Sequence, residues 1–174
     1  MKQLNKLLYI IAAILLFAAC KKENYAELNK GNTPLAVTAS KTSLILKEKE
    51  KANDALELNW TTGSNQGSDA AISYTIQLAK QGTSFTNPIS ENMGKVSYSR
   101  KFTVKALNDS LLNHFNATPG AEFNLEARVI ATSNNSNVNP ETSPVIQIKI
   151  TPYKAVSTTL YLIGDATPNG WNAG

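Results

Sequence analysis

The sequence is poor in residues that form covalent cross-links or catalytic centres. Its 174 residues include one cysteine, Cys20, and one histidine, His114. An intrachain disulfide is therefore excluded, and stability must come from a packed core. One histidine and one cysteine cannot supply the ligands of a zinc site, and no pair of carboxylates stands out for glycosidase chemistry. We therefore predict a protein that is not an enzyme and that has no catalytic residues, no metal site and no cofactor.

Charge of one sign is also scarce. The chain has 17 basic and 13 acidic side chains, and no long block of like charges occurs in it. Loss of Lys2 and Lys6 with a cleaved leader would lower the net charge from +4 to about +2. The composition therefore gives no sign of a patch that binds nucleic acid.

The N-terminus is typical of an export signal that ends at a lipid-attachment site. Two lysines precede an uncharged apolar run over residues 7–19, which is too short to cross a bilayer core that needs ~20 helical residues. A basic start, a short apolar run and small residues at its exit are typical of a signal peptide. The exit, Phe17-Ala18-Ala19-Cys20, resembles a lipobox with Phe17 in place of the usual leucine. We predict that residues 1–19 are removed and that Cys20 becomes the lipid-bearing first residue of the mature protein, which attaches it to a membrane.

The mature chain has room for one domain and a fragment of a second. Residues 20–33 form the lipidated cysteine and a polar, flexible tether. Residues 34–153 are predicted to form the domain. Residues 154–174 read as a linker followed by the start of another domain, which is too short to bury a core of its own.

Alternation of apolar and polar residues dominates the predicted domain. Such a period of two is typical of strands with one buried and one exposed face. It puts Trp60 on an inward face, so we interpret this residue as part of the core. The strongest predicted strands cover residues 55–60, 72–78, 123–131 and 145–150, and weaker ones cover 35–39, 43–46, 96–98 and 101–104.

One segment breaks this pattern. Apolar residues at helical spacing between residues 108 and 115 predict a short helix, with Asn108 or Asp109 as its N-cap and Pro119-Gly120 after its end. A helix here would cross between two sheets. The fold class is thus predicted to be all-β, an antiparallel sandwich of the immunoglobulin or fibronectin type III kind with one short crossover helix.

Two resemblances follow from particular residues. Trp60, Tyr74-Thr75-Ile76 and Leu125-Glu126-Ala127-Arg128-Val129 are similar to strands B, C and F of fibronectin type III and related immunoglobulin-like sandwiches. The whole mature chain resembles the N-terminal part of the SusE family of Bacteroidetes outer-membrane lipoproteins. The segments that carry this second resemblance are 34–40, 55–60, Phe102-Thr103-Val104, Leu107-Asn108, 118–120, 126–129, 150–153, 160–166 and Gly170-Trp171.

The SusE resemblance implies a function. Family members join a membrane-proximal immunoglobulin-like domain to carbohydrate-binding modules and hold starch or other glycans at the cell surface. Their partners are a TonB-dependent transporter and other Sus-type lipoproteins. Lys22-Glu23 resembles a signal for export to the cell surface. Residues 160–171 resemble the truncated opening of a glycan-binding module, so no glycan-binding residue is carried over. Trp171 is a candidate for stacking on a sugar, with the hydrophobic plug of the module as the alternative.

One modification site is also suggested. Asp109-Ser110-Leu111 is similar to the short pattern that Bacteroidetes O-glycosylate on exported proteins, which makes Ser110 a candidate. Capping of the predicted helix would explain Asp109 equally well.

These observations predict a non-catalytic, lipid-anchored protein of a starch or glycan uptake system, in which the domain is a spacer for glycan-binding modules. The alternative is an adhesin or fimbria-associated lipoprotein whose strand over residues 145–150 pairs with a partner strand.

Overall fold

The computed structural model describes residues 33–68 and 70–155. The predicted leader, Cys20, the tether up to residue 32, and the segment from residue 156 onward with Trp171 lie outside the described residues. The boundaries proposed for these segments are therefore predictions that the described residues do not address.

Nine strands and one short helix form within the described residues. The helix α1 spans Val104–Asp109 and continues as a π-helical turn, Ser110–His114. A single 3₁₀ turn, Glu48–Glu50, precedes the third strand. The strands are β1 (Val37–Ala39), β2 (Ser43–Ile45), β3 (Asp54–Trp60), β4 (Ile72–Lys80), β5 (Ile89–Gly94), β6 (Ser99–Thr103), β7 (Phe123–Ser133), β8 (Glu141–Thr142) and β9 (Ile146–Thr151).

The strands form two sheets. The first has the order β1-β3-β6, and the second has the order β2-β9-β7-β4-β5 with β8 paired to β7. The helix α1 follows β6 of the first sheet and precedes β7 of the second, so it is the predicted crossover helix. Two sheets of this order form the sandwich that the alternation predicts.

One strand pair is parallel, although the sequence predicts an antiparallel sandwich. Strand β2 pairs with β9 in parallel, with Ser43 opposite Lys149. The N–H of Lys149 donates to the Thr42 carbonyl and the N–H of Leu46 donates to the Thr151 carbonyl, each at 2.9 Å. The chain leaves the first sheet after β1 and joins the second at β2, and this change of sheet brings its direction into line with that of β9.

The core lies between the inward faces of the two sheets. Strand β4 alternates strictly from Ile72 to Leu78, with the inward residues at most 2 % exposed. Trp60 is 6 % exposed and packs in the same cluster, which confirms its interpretation as a core residue. Burial of this apolar surface is the main stabilising contribution in a chain without a disulfide.

The helix begins four residues earlier than predicted. Thr103 is its N-cap, since its hydroxyl oxygen accepts a hydrogen bond from the N–H of Ala106 at 3.2 Å. The expectation that Asn108 or Asp109 caps the helix is therefore wrong. The helical spacing already starts at Val104, which is buried and fits the inward face of a strand equally well.

Two observed strands, β5 and β8, are not predicted from the sequence, and one predicted strand is not formed. Strand β5 has only half-buried and exposed side chains, and β8 has two residues, so neither has the apolar alternation of a core strand. Residues 96–98, predicted as a strand, lie in the connection between β5 and β6, where Val96 is 89 % exposed.

Candidate functional site

Side-chain hydrogen bonds hold the backbone at two opposite ends of the sandwich, where the chain enters the domain and where it leaves. We call the end where Leu35 joins the domain the proximal pole, and the end where Tyr153 leaves it the distal pole. At each pole one side chain holds the backbone through two hydrogen bonds. These two clamps are the candidate functional site of the domain.

The proximal clamp is Glu141. Its carboxylate accepts a hydrogen bond from the N–H of Leu35 at 2.6 Å and another from the N–H of Ser64 at 2.9 Å. Gly63 makes this approach possible, because a Cβ at this position would lie 2.9 Å from Glu141 Oε2. Gly63 also has a φ of 65°, which other residues adopt only with strain.

The distal clamp is Asn108, which is fully buried in α1. Its Oδ1 accepts from the N–H of Tyr153 at 2.9 Å, and its Nδ2 donates to the Tyr153 carbonyl at 3.2 Å. One residue earlier, the Pro152 carbonyl accepts from the N–H of Gly120 at 2.8 Å. A buried amide that satisfies both polar groups of one residue fixes the direction in which the chain leaves.

The two poles are separated by most of the length of β7. Glu141 lies opposite Ala131 and Ile150 lies opposite Phe123. Eight steps of extended strand between Phe123 and Ala131 correspond to roughly 26 Å at ~3.3 Å per residue. The chain thus enters at one pole and leaves at the other.

An aromatic group supports the proximal pole. The Tyr74 ring lies 6.1 Å from the Trp60 ring and 5.4 Å from the Tyr98 ring, measured between centroids. The Tyr74 hydroxyl donates to the Thr62 carbonyl at 2.7 Å, which holds the loop that also carries Gly63. Burial raises the pKa of Tyr74, and its hydrogen bond with Tyr98 adds to the rise.

The residues singled out on the helix have structural contacts. The His114 ring places Nε2 at 3.0 Å from the Asn87 carbonyl and its edge against Phe115, at 4.7 Å between centroids. The Ser110 hydroxyl donates to the Ala106 carbonyl at 2.9 Å. Asp109 forms an ion pair with Lys105, and this contact raises the pKa of Lys105.

Residues 33–68 and 70–155 contain no group of three acidic, histidine or cysteine side chains placed to hold a metal ion. Within the same residues, no helix is long and apolar enough to cross a membrane.

The order of the strands in the two sheets defines a β-sandwich of the immunoglobulin or fibronectin type III kind. The chain belongs to the SusE outer membrane protein family, whose family model matches residues 21–130. It is therefore an outer-membrane protein of the Sus system, as the resemblance implied.

The solution structure of the fibronectin type-III domain of human fibronectin type III domain containing protein 3 is similar to this chain with a TM-score of 0.39 and 18 % identity, and the similarity covers 74 % of this chain and 94 % of that one. No curated protein matches the sequence. The fold assignment rests on strand order and pairing.

Proposed function

We propose that the domain is a spacer in a lipid-anchored, non-catalytic protein that holds starch or another glycan at the cell surface. The observation that carries this proposal is the placement of the two clamps at opposite poles. A spacer must receive the chain at one end and release it in a fixed direction at the other. Glu141 and Asn108 meet these two requirements.

The anchor is the proposed lipid on Cys20. The proximal pole begins at Leu35, so the polar tether between them places this pole next to the membrane. The distal pole then points the following residues away from it. Stable anchoring by lipid takes more than one acyl chain, and triacylation of Cys20 would supply them. We propose that the anchor faces outward, where a TonB-dependent transporter and other Sus-type lipoproteins are the expected partners.

Fractionation of cells tests the anchor. We expect the native protein to remain with the outer membrane and the Cys20→Ala variant to lose the lipid and leave the membrane fraction. A Cys20→Ala variant that still labels with a fatty-acid probe would contradict lipidation at this residue.

Affinity electrophoresis tests the spacer role. We expect residues 34–153 to migrate equally in gels with and without amylopectin, because sugar recognition is assigned to modules outside this domain. Trp171 stays a candidate for such recognition. Clear retardation of the domain alone would contradict the spacer proposal and would assign it a binding function of its own.

The adhesin alternative retains only part of the strand edge on which it depended, since β2 pairs with β9 over Lys149–Thr151 and with none of residues 146–148. Strand β9 is paired with β7 on one side and, over Lys149–Thr151, with β2 on the other. This part of β9 is interior to its sheet and has no free edge to offer a partner strand.

Ser110 is proposed as a site of O-glycosylation, on the tripeptide pattern alone. It is half-buried and its hydroxyl bonds within the helix, so modification would need this bond to open. Glycoprotein staining of the native protein against Ser110→Ala tests it, and equal staining of the two would contradict the assignment.

A further inference from the structure

A connecting loop folds back over the outer face of the second sheet. Strand β4 alternates until Leu78, and then Ala79, which points outward, is also fully buried. The loop over residues 81–88 brings Phe85 onto the same face, where this large side chain is only 9 % exposed. The outer face of β4 is therefore covered at this end of the sheet.

Three residues of this loop have strained backbone conformations. Ser84, Phe85 and Asn87 have φ values of 51°, 56° and 53°, in the left-handed region that is strained for a residue with a side chain. Such strain persists only where the surroundings hold it, and it is concentrated at functional sites. Here the Asn87 carbonyl lies 3.0 Å from His114 Nε2 and Phe85 lies under an arginine.

That arginine, Arg128 of β7, is held in place on two sides. Its Nε donates to Gln77 Oε1 at 2.8 Å, and its guanidinium carbon lies 3.9 Å from the centre of the Phe85 ring. These contacts fix the plane of the guanidinium group. They leave its two terminal nitrogens, the pair that binds a carboxylate in a fork, free of any carboxylate among the described residues.

A second arginine provides a comparison within the same domain. Arg100 also stacks on a phenylalanine, with its guanidinium carbon 4.7 Å from the Phe102 ring centre. Its Nε, however, donates to both oxygens of Glu91, at 2.9 and 3.0 Å. The two stacked arginines therefore differ in that Arg100 already has its carboxylate and Arg128 does not.

Arg128 lines a pocket of about 450 Å³ on this outer face. Phe85 and the half-exposed Val145 supply apolar walls, and Glu126 and Gln147 lie opposite each other on neighbouring strands. Glu126 precedes Arg128 by two residues on the same face, a spacing of about 6.6 Å along an extended strand. The pocket is open to solvent, and its volume is sufficient for a small ligand.

We propose that this pocket binds a small carboxylic acid with an apolar side chain and a neighbouring positively charged or hydroxyl donor, the chemistry of an α-amino acid. The carboxylate binds the terminal nitrogens of Arg128. The donor group faces Glu126, which also repels a second negative charge on the ligand. The apolar body packs against Phe85 and Val145. The site is independent of the spacer role and of both clamps.

Calorimetric titration of the full mature chain with three probes tests each contact. Leucine has both groups, N-acetylleucine lacks the ammonium and leucinamide lacks the carboxylate. We expect leucine to bind, N-acetylleucine to bind more weakly and leucinamide not to bind. No binding of leucine, or equal binding of leucine and leucinamide, would overturn the proposal.

Variants assign the contacts to residues. We expect Arg128→Gln to weaken leucine binding at least about tenfold, since the charge-assisted bonds are lost. Arg128→Lys keeps the charge without the fork and should give an intermediate loss. Glu126→Gln should weaken leucine but not N-acetylleucine. Arg100→Gln is the matched control and should leave binding unchanged. Thermal unfolding checks that each variant is folded, and unchanged binding by folded Arg128→Gln would contradict the site.

Discussion

At the scale of single residues, the two clamps show how one polar side chain can define a chain direction. Asn108 has no exposed surface, yet both of its amide atoms bond to Tyr153. A buried polar group left without its partner costs more than the bond itself contributes. The cost of removing such a residue therefore measures how firmly it holds the chain.

Asn108→Ala is predicted to destabilise the domain by about 2–3 kcal/mol, because two backbone groups of Tyr153 lose their partner and a small cavity is left. Urea denaturation followed by tryptophan fluorescence measures the change. Asn113→Ala is the matched control, since Asn113 is exposed on the turn that continues the same helix, and it should change stability by less than about 0.5 kcal/mol. Equal effects of the two substitutions would contradict the clamp.

Tyr74 gives a prediction at high pH. Because burial raises its pKa above the unfolded value, the neutral phenol is favoured by folding. Its contribution to stability is complete below about pH 10, the unfolded value, and is lost as the pH rises towards the folded value. Urea midpoints measured from about pH 9 to 11 should fall more steeply for the native protein than for Tyr74→Phe. Parallel falls would show that other groups dominate.

At the scale of elements, strict alternation was enough to predict the interior strands. Leu56, Leu58 and Trp60 are all buried as the period of two requires. The edge strand β5 is not predicted, because a strand with one neighbour and polar side chains lacks the alternation of apolar and polar residues. The Asn108 clamp could not be predicted for a different reason. Asn108 bonds to the backbone of Tyr153, 45 residues away, and the sequence around either residue does not indicate such a contact.

The start of the helix is not predicted correctly, because the residues around Val104 fit both strand spacing and helical spacing. Val104 follows the buried Phe102 at strand spacing and precedes Leu107 at helical spacing. The hydroxyl of Thr103, which caps the first turn, favours a helix over a continued strand from Val104. Thr103→Ala is therefore expected to cost about 1 kcal/mol of stability. Thr38, an exposed threonine in β1, offers a control, and a similar loss in Thr38→Ala would mean that the cap is not special.

The loop after β3 permits a test of the proximal clamp through its glycines. Gly63→Ala would combine a positive φ with a Cβ at 2.9 Å from Glu141 Oε2, whereas Gly67→Ala has a positive φ and no atom within 4 Å. We expect Gly67→Ala to lose about 1 kcal/mol and Gly63→Ala to lose clearly more, as measured by thermal unfolding. Equal losses would indicate that the Glu141 contact is dispensable.

At the scale of the whole molecule, the relevant quantity is the distance between the poles. Spin labels on Thr33→Cys and Lys154→Cys, in a Cys20→Ala background, should give one narrow distance distribution near ~30 Å, the strand length plus the ends. Adding Asn108→Ala should broaden it, because the distal end is released, whereas adding Asn113→Ala should not. A broad distribution in the parent protein would contradict a spacer with fixed ends.

The parallel pairing of β2 with β9 has a mechanical consequence. A load applied between Leu35 and Tyr153 would pull β2 and β9 in opposite directions along their common axis. The bonds of Lys149 to Thr42 and of Leu46 to Thr151 would then be sheared together and could not be opened one after another. A domain joined in this way resists extension along the axis between its two poles.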